Sequence, residues 1–442
     1  MEKPVHDAFG PVRRGYEPTY RLHRREAIVF YGKMPPPGRY MGIQTWQWSQ
    51  PGHWTHADVR RVAHLPNLPF PLHLLFSTMP PGDPNAGRVF SFSALGDPVN
   101  NVVMQRRSGS PFNKQRYFIV TASAAANKAV RRVLHARGVP NNRIFTEQIP
   151  SHDTSGRIGP LGMGKSAIDF TTWFRYAVPN PADADAAQQW RRDPPIKVLR
   201  VRAPAQGPVR RYGALHFDKT RAHSEASLAS DQQRLIQAVC HRVQKTAHLR
   251  GTECTRPLPS SAFMVDFLRD YGWDGPYCRR HHAYCDGDNP DTAFFYGQPG
   301  PLDAGQVYAV VDTLATQTHN ATYVGLSAHN AATFYAPLNF LDTQLKGSAR
   351  SYANTVGHTG KFFVHYFTRH CVTLKHVRGA VPNCTSISNA VIPRHNAPNA
   401  FGDPALRGHI QLGIRDYIVP GTERGPDTAK MLTPVILTFT KR

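Results

Sequence analysis

Long apolar runs are absent from this chain of 442 residues, and their absence excludes one class of protein at once. No stretch approaches the roughly 18 consecutive apolar residues that a membrane-spanning helix needs. The first residues, MEKPVHDAFGPVRRGYEP, also lack the apolar segment of a secretory signal. We therefore expect a soluble chain with neither a membrane span nor an export signal.

Acidic residues are scarce: 30 Asp and Glu stand against 53 Lys and Arg, which gives a formal net charge of +23. The basic residues are scattered as short pairs, with no block of five or six. Dispersed charge favours a solvated basic surface over a dedicated nucleic-acid tract. A polyanionic surface or an assembly partner fits this charge, whereas specific recognition of nucleic acid is not expected.

Motifs of nucleophilic catalysis are missing as well. The chain has no Gly-x-Ser-x-Gly elbow, and it also lacks the Cys-x-x-Cys pair that is typical of zinc and redox sites. Histidine is plentiful, but the sequence selects no partner for a histidine base. The candidate bases are His216, His319, His329, His358 and His365. We expect no cofactor.

What the sequence does contain is an even set of cysteines in one region. All six lie between Cys240 and Cys384. An even, clustered set favours a disulfide framework, although many pairings are open and buried free thiols are the alternative. The disulfide candidates form three sequence-local couples, which are Cys240 and Cys254, Cys278 and Cys285, and Cys371 and Cys384.

Strand-like segments dominate the chain. They are short, rich in Val, Ile, Phe, Tyr and Thr, and separated by many of the 38 Pro and 34 Gly residues. The pattern predicts an α+β protein, mainly β, with two sandwich-like lobes. The predicted strands are 27–31, 40–48, 72–77, 88–92, 116–121, 196–201, 306–314, 321–327, 361–367, 409–418 and 434–440.

Helical periodicity is found in fewer places. The two clearest helices are predicted over 123–137 and 224–249, and shorter ones over 167–176 and 182–192. Residues 203–208, APAQGP, indicate a linker, so we place a domain boundary near residue 205. The N-terminal lobe, 1–205, is then cysteine-free, and the C-terminal lobe, 206–442, carries all six cysteines behind the long helix.

One segment fits the phosphate-loop pattern G-x-x-x-x-G-K-[ST]. It comprises residues 159–166, GPLGMGKS, in which Gly159, Gly164, Lys165 and Ser166 are the candidate nucleotide-binding residues. A phosphate loop joins a buried strand to a long helix, whereas the segment ahead of Gly159 is polar and turn-like. A glycine-rich surface turn is the alternative.

Residues 278–291 hold the densest cluster of potential metal ligands. Two cysteines flank His281 and His282, but the adjacent arginines would repel a cation. Asp286, Asp288 and Asp291 follow at a spacing that departs from a calcium loop. We expect no metal here, and an Asx-rich turn that leads into a strand.

Several segments resemble uncharacterised two-lobed β-rich proteins in which an Asn/Asp-Pro-Asp-Thr turn opens a sandwich strand. The matching residues are 288–297, 306–311 and 321–323, with 38–43 and 95–101 similar to the first lobe. The resemblance implies a β-sandwich architecture and supplies no activity. The Arg-, His- and Pro-rich composition also resembles proteins of large DNA viruses of protists.

These observations predict a non-enzymatic structural or binding protein, a virion or extracellular component with a basic surface. That location depends on disulfide formation, since the chain shows no export signal. The alternative is an enzyme, either a nucleotide hydrolase that uses the 159–166 loop or a hydrolase with a His/Asp site between the lobes.

Overall fold

The computed structural model describes residues 19–70, 72–76, 87–96, 98–202, 211–214, 222–333, 335–393 and 404–441. Most of the regular structure is strand, as many β-branched and aromatic residues predict. The strands are β1 (Glu26–Lys33), β2 (Gly38–Pro51), β3 (Arg88–Ala94), β4 (Val99–Asn100), β5 (Gln115–Thr121), β6 (Ile144–Gln148), β7 (His152–Asp153), β8 (Gly156–Arg157), β9 (Asp169–Pro179), β10 (Ile196–Arg202), β11 (Leu249–Gly251), β12 (Val265–Asp266), β13 (Thr292–Tyr296), β14 (Gly300–Pro301), β15 (Val307–Thr313), β16 (Tyr323–Asn330), β17 (Tyr335–Leu341), β18 (Phe362–Thr368), β19 (Cys384–Ser386), β20 (His409–Tyr417) and β21 (Val435–Lys441).

The helices are mostly short, and turns of 3₁₀ helix connect several of the elements. No described helix is long and apolar enough to cross a membrane. The α-helices are α1 (His56–Ala63), α2 (Leu72–Leu75), α3 (Asn101–Ser108), α4 (Ala124–Ala136), α5 (Ala184–Arg192), α6 (Ala229–Thr246), α7 (Phe267–Tyr271), α8 (Gly275–His281) and α9 (Asp342–Leu345).

The N-terminal half, up to residue 202, contains two facing sheets and a covering helix. One sheet has the order β10-β1-β5-β6, and the other is built on β2, which pairs with β3, β4 and β9. Apolar residues such as Ile28 and Phe118 of the first sheet pack against Ile43 and Phe170 of the second. Helix α4 covers the outer face of the first sheet and connects the parallel strands β5 and β6.

The C-terminal half, from residue 222, repeats this layering with different connections. Its sheets have the orders β11-β21-β15-β18-β19 and β12-β13-β20-β16-β17, and a core that includes Val310, Phe363 and Leu412 lies between them. The long helix α6 lays Leu235 and Val239 on the outer face of the first of these sheets. Burial of such an apolar stripe is what stabilises a helix against a sheet.

The expectation of an α+β fold that is mainly β is confirmed, and three of the helix predictions are accurate. Ser123 caps α4 by accepting a hydrogen bond from the N–H of Ala126. The predicted helix over 224–249 is α6, preceded by one turn of 3₁₀ helix. The predicted helix over 182–192 corresponds to α5.

Two secondary-structure predictions were wrong. Residues 169–179 form strand β9 rather than a helix over 167–176, because they pair with β2 from Gly38 to Ser49. Residues 72–75 form the helical turn α2 rather than a strand. In both places contacts distant in sequence override a local pattern.

The two halves contact each other through aromatic side chains. Tyr40 of β2 packs on Tyr417 of β20, with ring centroids 4.9 Å apart. Phe70, which follows α1, stacks on Phe267 of α7 at 5.1 Å. No described sheet combines strands from both sides of residues 203–210. The predicted boundary near residue 205 lies outside the described residues, so the two-domain division stays a prediction.

The six cysteines form three disulfides, all between sequence neighbours. They close loops with sequence separations of 14, 7 and 13 residues within the C-terminal half. Cys240, for which burial as a free thiol was the alternative, is bonded on helix α6. The pairs are Cys240–Cys254, Cys278–Cys285 and Cys371–Cys384.

Candidate functional site

A cavity of about 210 Å³ lies where the two halves meet. Aromatic rings and carboxyl groups dominate its lining. The rings belong to Phe70, Phe267, Trp273, Tyr284, Phe294 and Tyr296. The carboxyl groups belong to Asp266, Asp274, Asp286, Asp288 and Asp427.

The local fold brings these residues together through helix α8 and the loop that follows it. Asp274 caps α8 by accepting a hydrogen bond from the N–H of Tyr277 at 2.8 Å. The disulfide Cys278–Cys285 closes the turn after the helix. The loop then runs beside β3, where the N–H of Cys285 donates to the carbonyl of Ser91 at 2.8 Å. The loop at residues 284–291 is therefore held against the N-terminal half.

Asp288 serves as a clamp within this loop. Its carboxylate oxygens accept hydrogen bonds from the backbone N–H of Ala94 at 2.6 Å and of Gly275 at 2.8 Å. The indole N–H of Trp46 donates to the backbone carbonyl of Asp288 at 2.9 Å. Burial raises the pKa of Asp288 to about 7 although these hydrogen bonds oppose the shift. Because both carboxylate oxygens are occupied, we assign Asp288 a structural role.

Asp291 connects the two halves through hydrogen bonds that are buried in the interior. Its side chain is fully buried and accepts hydrogen bonds from the Tyr40 hydroxyl and the Asn100 amide, each at 2.9 Å. The Asn100 side-chain oxygen also caps helix α3. Burial raises the pKa of Asp291 to about 7, against the effect of these donors and of Arg424 and Arg175.

Asp286 differs from its neighbours because its carboxyl group is lightly held. The Tyr296 hydroxyl donates to it at 3.3 Å, a long hydrogen bond. Burial raises the pKa of Asp286 to about 6, and the charges of Arg415 and Arg175 oppose that rise. Its φ of 52° places a non-glycine residue in the left-handed region, which costs free energy. A strained, weakly bonded carboxyl group at a cavity wall is a candidate ligand-binding group.

Asn289, the other polar side chain of this loop, lies beside the aspartates. Its side-chain oxygen accepts a hydrogen bond from the N–H of Asp291 at 3.0 Å. Its amide nitrogen is buried and has no hydrogen-bond partner among the described residues. An unmatched buried donor is costly, and Asn289 lines the cavity. The wall of the cavity thus has unused hydrogen-bonding capacity.

The phosphate-loop hypothesis receives no support from the geometry. Gly159, Gly164, Lys165 and Ser166 lie in a turn that follows the hairpin β7–β8 and leads directly into strand β9. The loop therefore lacks the helix whose backbone N–H groups would bind phosphate. The guanidinium of Arg88 donates to the carbonyl of Lys165 at 2.8 Å.

The potential metal ligands near α8 are engaged elsewhere. Cys278 and Cys285 are bonded to each other and offer no thiolate. The guanidinium of Arg61 contacts His281 at 2.7 Å, and His282 lies 3.3 Å from a carboxylate oxygen of Asp58. Within the described parts of the chain, no group of three or more His, Cys, Asp or Glu side chains is arranged to hold a metal ion.

The candidate histidine bases do not meet the cavity. His216 lies outside the described residues. His329 accepts or donates a 2.8 Å hydrogen bond with Ser327, but both side chains are buried within the sheet. His358 pairs with Asp231 at 2.8 Å, and His365 contacts the Thr385 hydroxyl. Among the described residues that line the cavity there is no histidine.

Asp286, Asp288 and Asp291 are recognisable in the sequence as an acidic turn, and this cluster pointed to part of the site. The cavity itself was missed because Phe70, Phe267 and Trp273 are distant from that turn in sequence. The aromatic residues that surround the loop were indistinguishable from ordinary core residues, since burial is the usual fate of such side chains. Only the tertiary fold brings the rings and the carboxyl groups together.

No family model matches this chain, and no curated protein matches it. Among solved structures, it is similar to an uncharacterised protein from Burkholderia cenocepacia, at 7% identity and a TM-score of 0.39 over 99% of this chain and 81% of that one. It is also similar to a protein from Vibrio parahaemolyticus, at 10% identity and a TM-score of 0.37 over 95% of this chain and 87% of that one.

Proposed function

We propose that this chain is a non-enzymatic binding protein whose cavity holds a small organic cation. The observation that carries the proposal is the lining of the cavity, which combines six aromatic rings with five carboxyl groups. Ring faces attract cations, and the attraction strengthens where water is excluded. Among the described residues that line the cavity, Arg424 is the one basic residue. The five carboxyl groups therefore outnumber the positively charged groups of the lining.

Asp286 is the residue expected to contact the positive charge. The residue is partly exposed and lines the cavity, and its carboxyl group has one long hydrogen bond, so a cation would give it a stronger partner. Asp288 and Asp274 add negative charge but are already bonded to backbone N–H groups. The positive charges of Arg415 and Arg175 oppose this attraction at Asp286, which limits the expected affinity.

The test is a calorimetric titration with three probes of similar size and different charge: benzylammonium, benzyl alcohol and benzoate. We expect benzylammonium to bind on the order of tenfold more tightly than benzyl alcohol, a difference of about 1.4 kcal/mol. Asp286→Asn should abolish that preference, whereas Asp303→Asn, at an exposed aspartate of the C-terminal half, should keep it. Equal binding of all three probes, or a preference for benzoate, would contradict the proposal.

The proposed setting is an oxidising one, a virion or the extracellular space. Three disulfides support it, because such bonds persist outside the reducing cytosol. Thiol titration of protein from its natural source, denatured without reductant, should find no reactive thiol and six after reduction. Six thiols before reduction would rule out this setting.

A second candidate function is hydrolysis, and one observation favours it. Asp286 combines a pKa raised to about 6 with a position in an aromatic cavity, as general acids and bases often do. Chromogenic esters and glycosides test it directly. Turnover that is lost in Asp286→Asn and kept in Asp303→Asn would establish an enzyme and overturn the non-enzymatic proposal.

A further inference from the structure

Helix α4 lies in a stretch of sequence with an extreme charge balance. Residues 98–146 contain nine Lys or Arg residues and no Asp or Glu. This stretch forms α3, β5, α4 and β6, which contact one another in the N-terminal half. The fold therefore brings several basic residues of one acid-free stretch together in the N-terminal half.

The helix presents part of this charge as a row. It buries Ala126 and Val130 against the sheet. Positions 128, 131, 132 and 135 follow the i, i+3, i+4, i+7 spacing of a single helix face, and seven residues of helix rise by about 10 Å. A shallow depression on this outer side is lined by Ala124, Asn127, Lys128, Arg131, Arg132 and His135.

Neighbouring elements extend the row into a surface. We call the side chains of Arg107, Lys128, Arg131, Arg132 and Arg143 the basic face. The guanidinium of Arg107 lies over the ring of Phe145, 5.6 Å from its centroid. Burial together with the charge of Arg107 lowers the pKa of Arg131. Like charges are thus held close together here.

Arg131, in the middle of the basic face, is held by neutral groups. Arg131 donates to the side-chain oxygen of Asn141 at 2.7 Å and to the hydroxyl of Thr146 at 2.8 Å. Within the described part of the chain, no member of the face forms an ion pair with a carboxylate. Arg106 is the contrast, because it pairs with Glu423 at 2.7 Å. Because no carboxylate of the described chain neutralises the basic face, its positive charge is available to a partner.

We propose that the basic face docks the phosphate backbone of a nucleic acid duplex without regard to base sequence. Guanidinium and ammonium groups are the usual donors to phosphate oxygens, and such contacts give affinity without sequence information. Helix α4 exposes Val133 as its large hydrophobic side chain and carries no Phe, Tyr or Trp on which an unpaired base could stack. This feature favours duplex over single strand.

Fluorescence anisotropy with a labelled 20-base-pair DNA duplex at increasing KCl tests the proposal. The variant carries Lys128→Gln, Arg132→Gln and Arg143→Gln, three exposed changes. Each phosphate contact that is lost should reduce the slope of log affinity against log salt by about 1. We expect a slope reduced by about 3 and correspondingly weaker binding, equal for unrelated duplex sequences.

The matched control removes the same charge elsewhere, with Arg350→Gln, Lys375→Gln and Arg378→Gln at exposed positions of the C-terminal half. It should keep the slope of the unchanged protein. Equal loss in both triple variants would show attraction by net charge alone and overturn the proposal. Tighter binding of heparin than of the duplex, with the same dependence on the face, would assign the surface to a sulfated glycan instead and also overturn it.

Discussion

Replacing Asp291 with asparagine should remove a large pH dependence from the stability of this protein. In the folded chain the carboxyl group has no exposed surface, and burial raises its pKa from 3.8 to about 7. Each pKa unit corresponds to about 1.4 kcal/mol, so a rise of about 3 units is equivalent to about 4 kcal/mol. A carboxyl group with a raised pKa binds its proton more tightly in the folded state. Its contribution to stability is present near pH 4 and is lost as the pH rises through 7.

The assay is urea unfolding of both proteins at pH 5 and at pH 8. Asparagine resembles the protonated acid and does not ionise, so the variant should gain about 2.5 kcal/mol of stability relative to the unchanged protein between pH 5 and pH 8, since the remainder of the roughly 4 kcal/mol is already lost below pH 5. Other ionising groups are common to both proteins and cancel in the difference. Asp185→Asn, at an exposed position on α5, should show no such gain. A difference between the two proteins that is the same at both pH values would show that burial does not hold Asp291 in its protonated form.

Three further outcomes follow from the same geometry. Binding of benzylammonium should strengthen as the pH rises through about 6, where Asp286 ionises, and Asp286→Asn should show a smaller rise in calorimetry at pH 5 and pH 8, since Asp288, with a pKa raised to about 7, still ionises at the cavity wall. Asp288→Ala leaves two backbone N–H groups unpaired and should lower the free energy of unfolding by about 3 kcal/mol in urea; no change would refute the clamp. Replacing Cys278 and Cys285 with serine opens a loop of sequence separation 7 and should cost about 2 kcal/mol, whereas an unchanged urea midpoint would show that the disulfide adds no stability.

Local signals in the sequence were sufficient for part of this fold. Helix α4 was predictable because Ser123 caps it and Ala126 and Val130 recur on its buried face. Strand β9 was not, since its pairing partner β2 precedes it by more than a hundred residues. The disulfides could be anticipated as a set, but their pairing depended on backbone positions that only the fold supplies.

The candidate site was predictable in one element and not in the others. The aspartates of residues 286–291 are visible as an acidic turn, while the raised pKa of Asp291 depends on burial beside Tyr40 and Asn100. Those partners precede it by 251 and 191 residues. No local pattern could indicate that the turn would be covered by the other half of the chain.

The most direct test of the central claim is the position of benzylammonium in crystals of the protein grown at pH 8. If the cavity binds organic cations, we expect benzylammonium to be ordered among Trp273, Tyr284 and Phe294. Its ammonium group should lie within hydrogen-bonding distance of the Asp286 carboxylate. Crystals of Asp286→Asn, soaked at a benzylammonium concentration that half-saturates the unchanged protein, should show the ligand at clearly lower occupancy. A cavity that stays empty at saturating benzylammonium, or a ligand bound only elsewhere, would contradict the account.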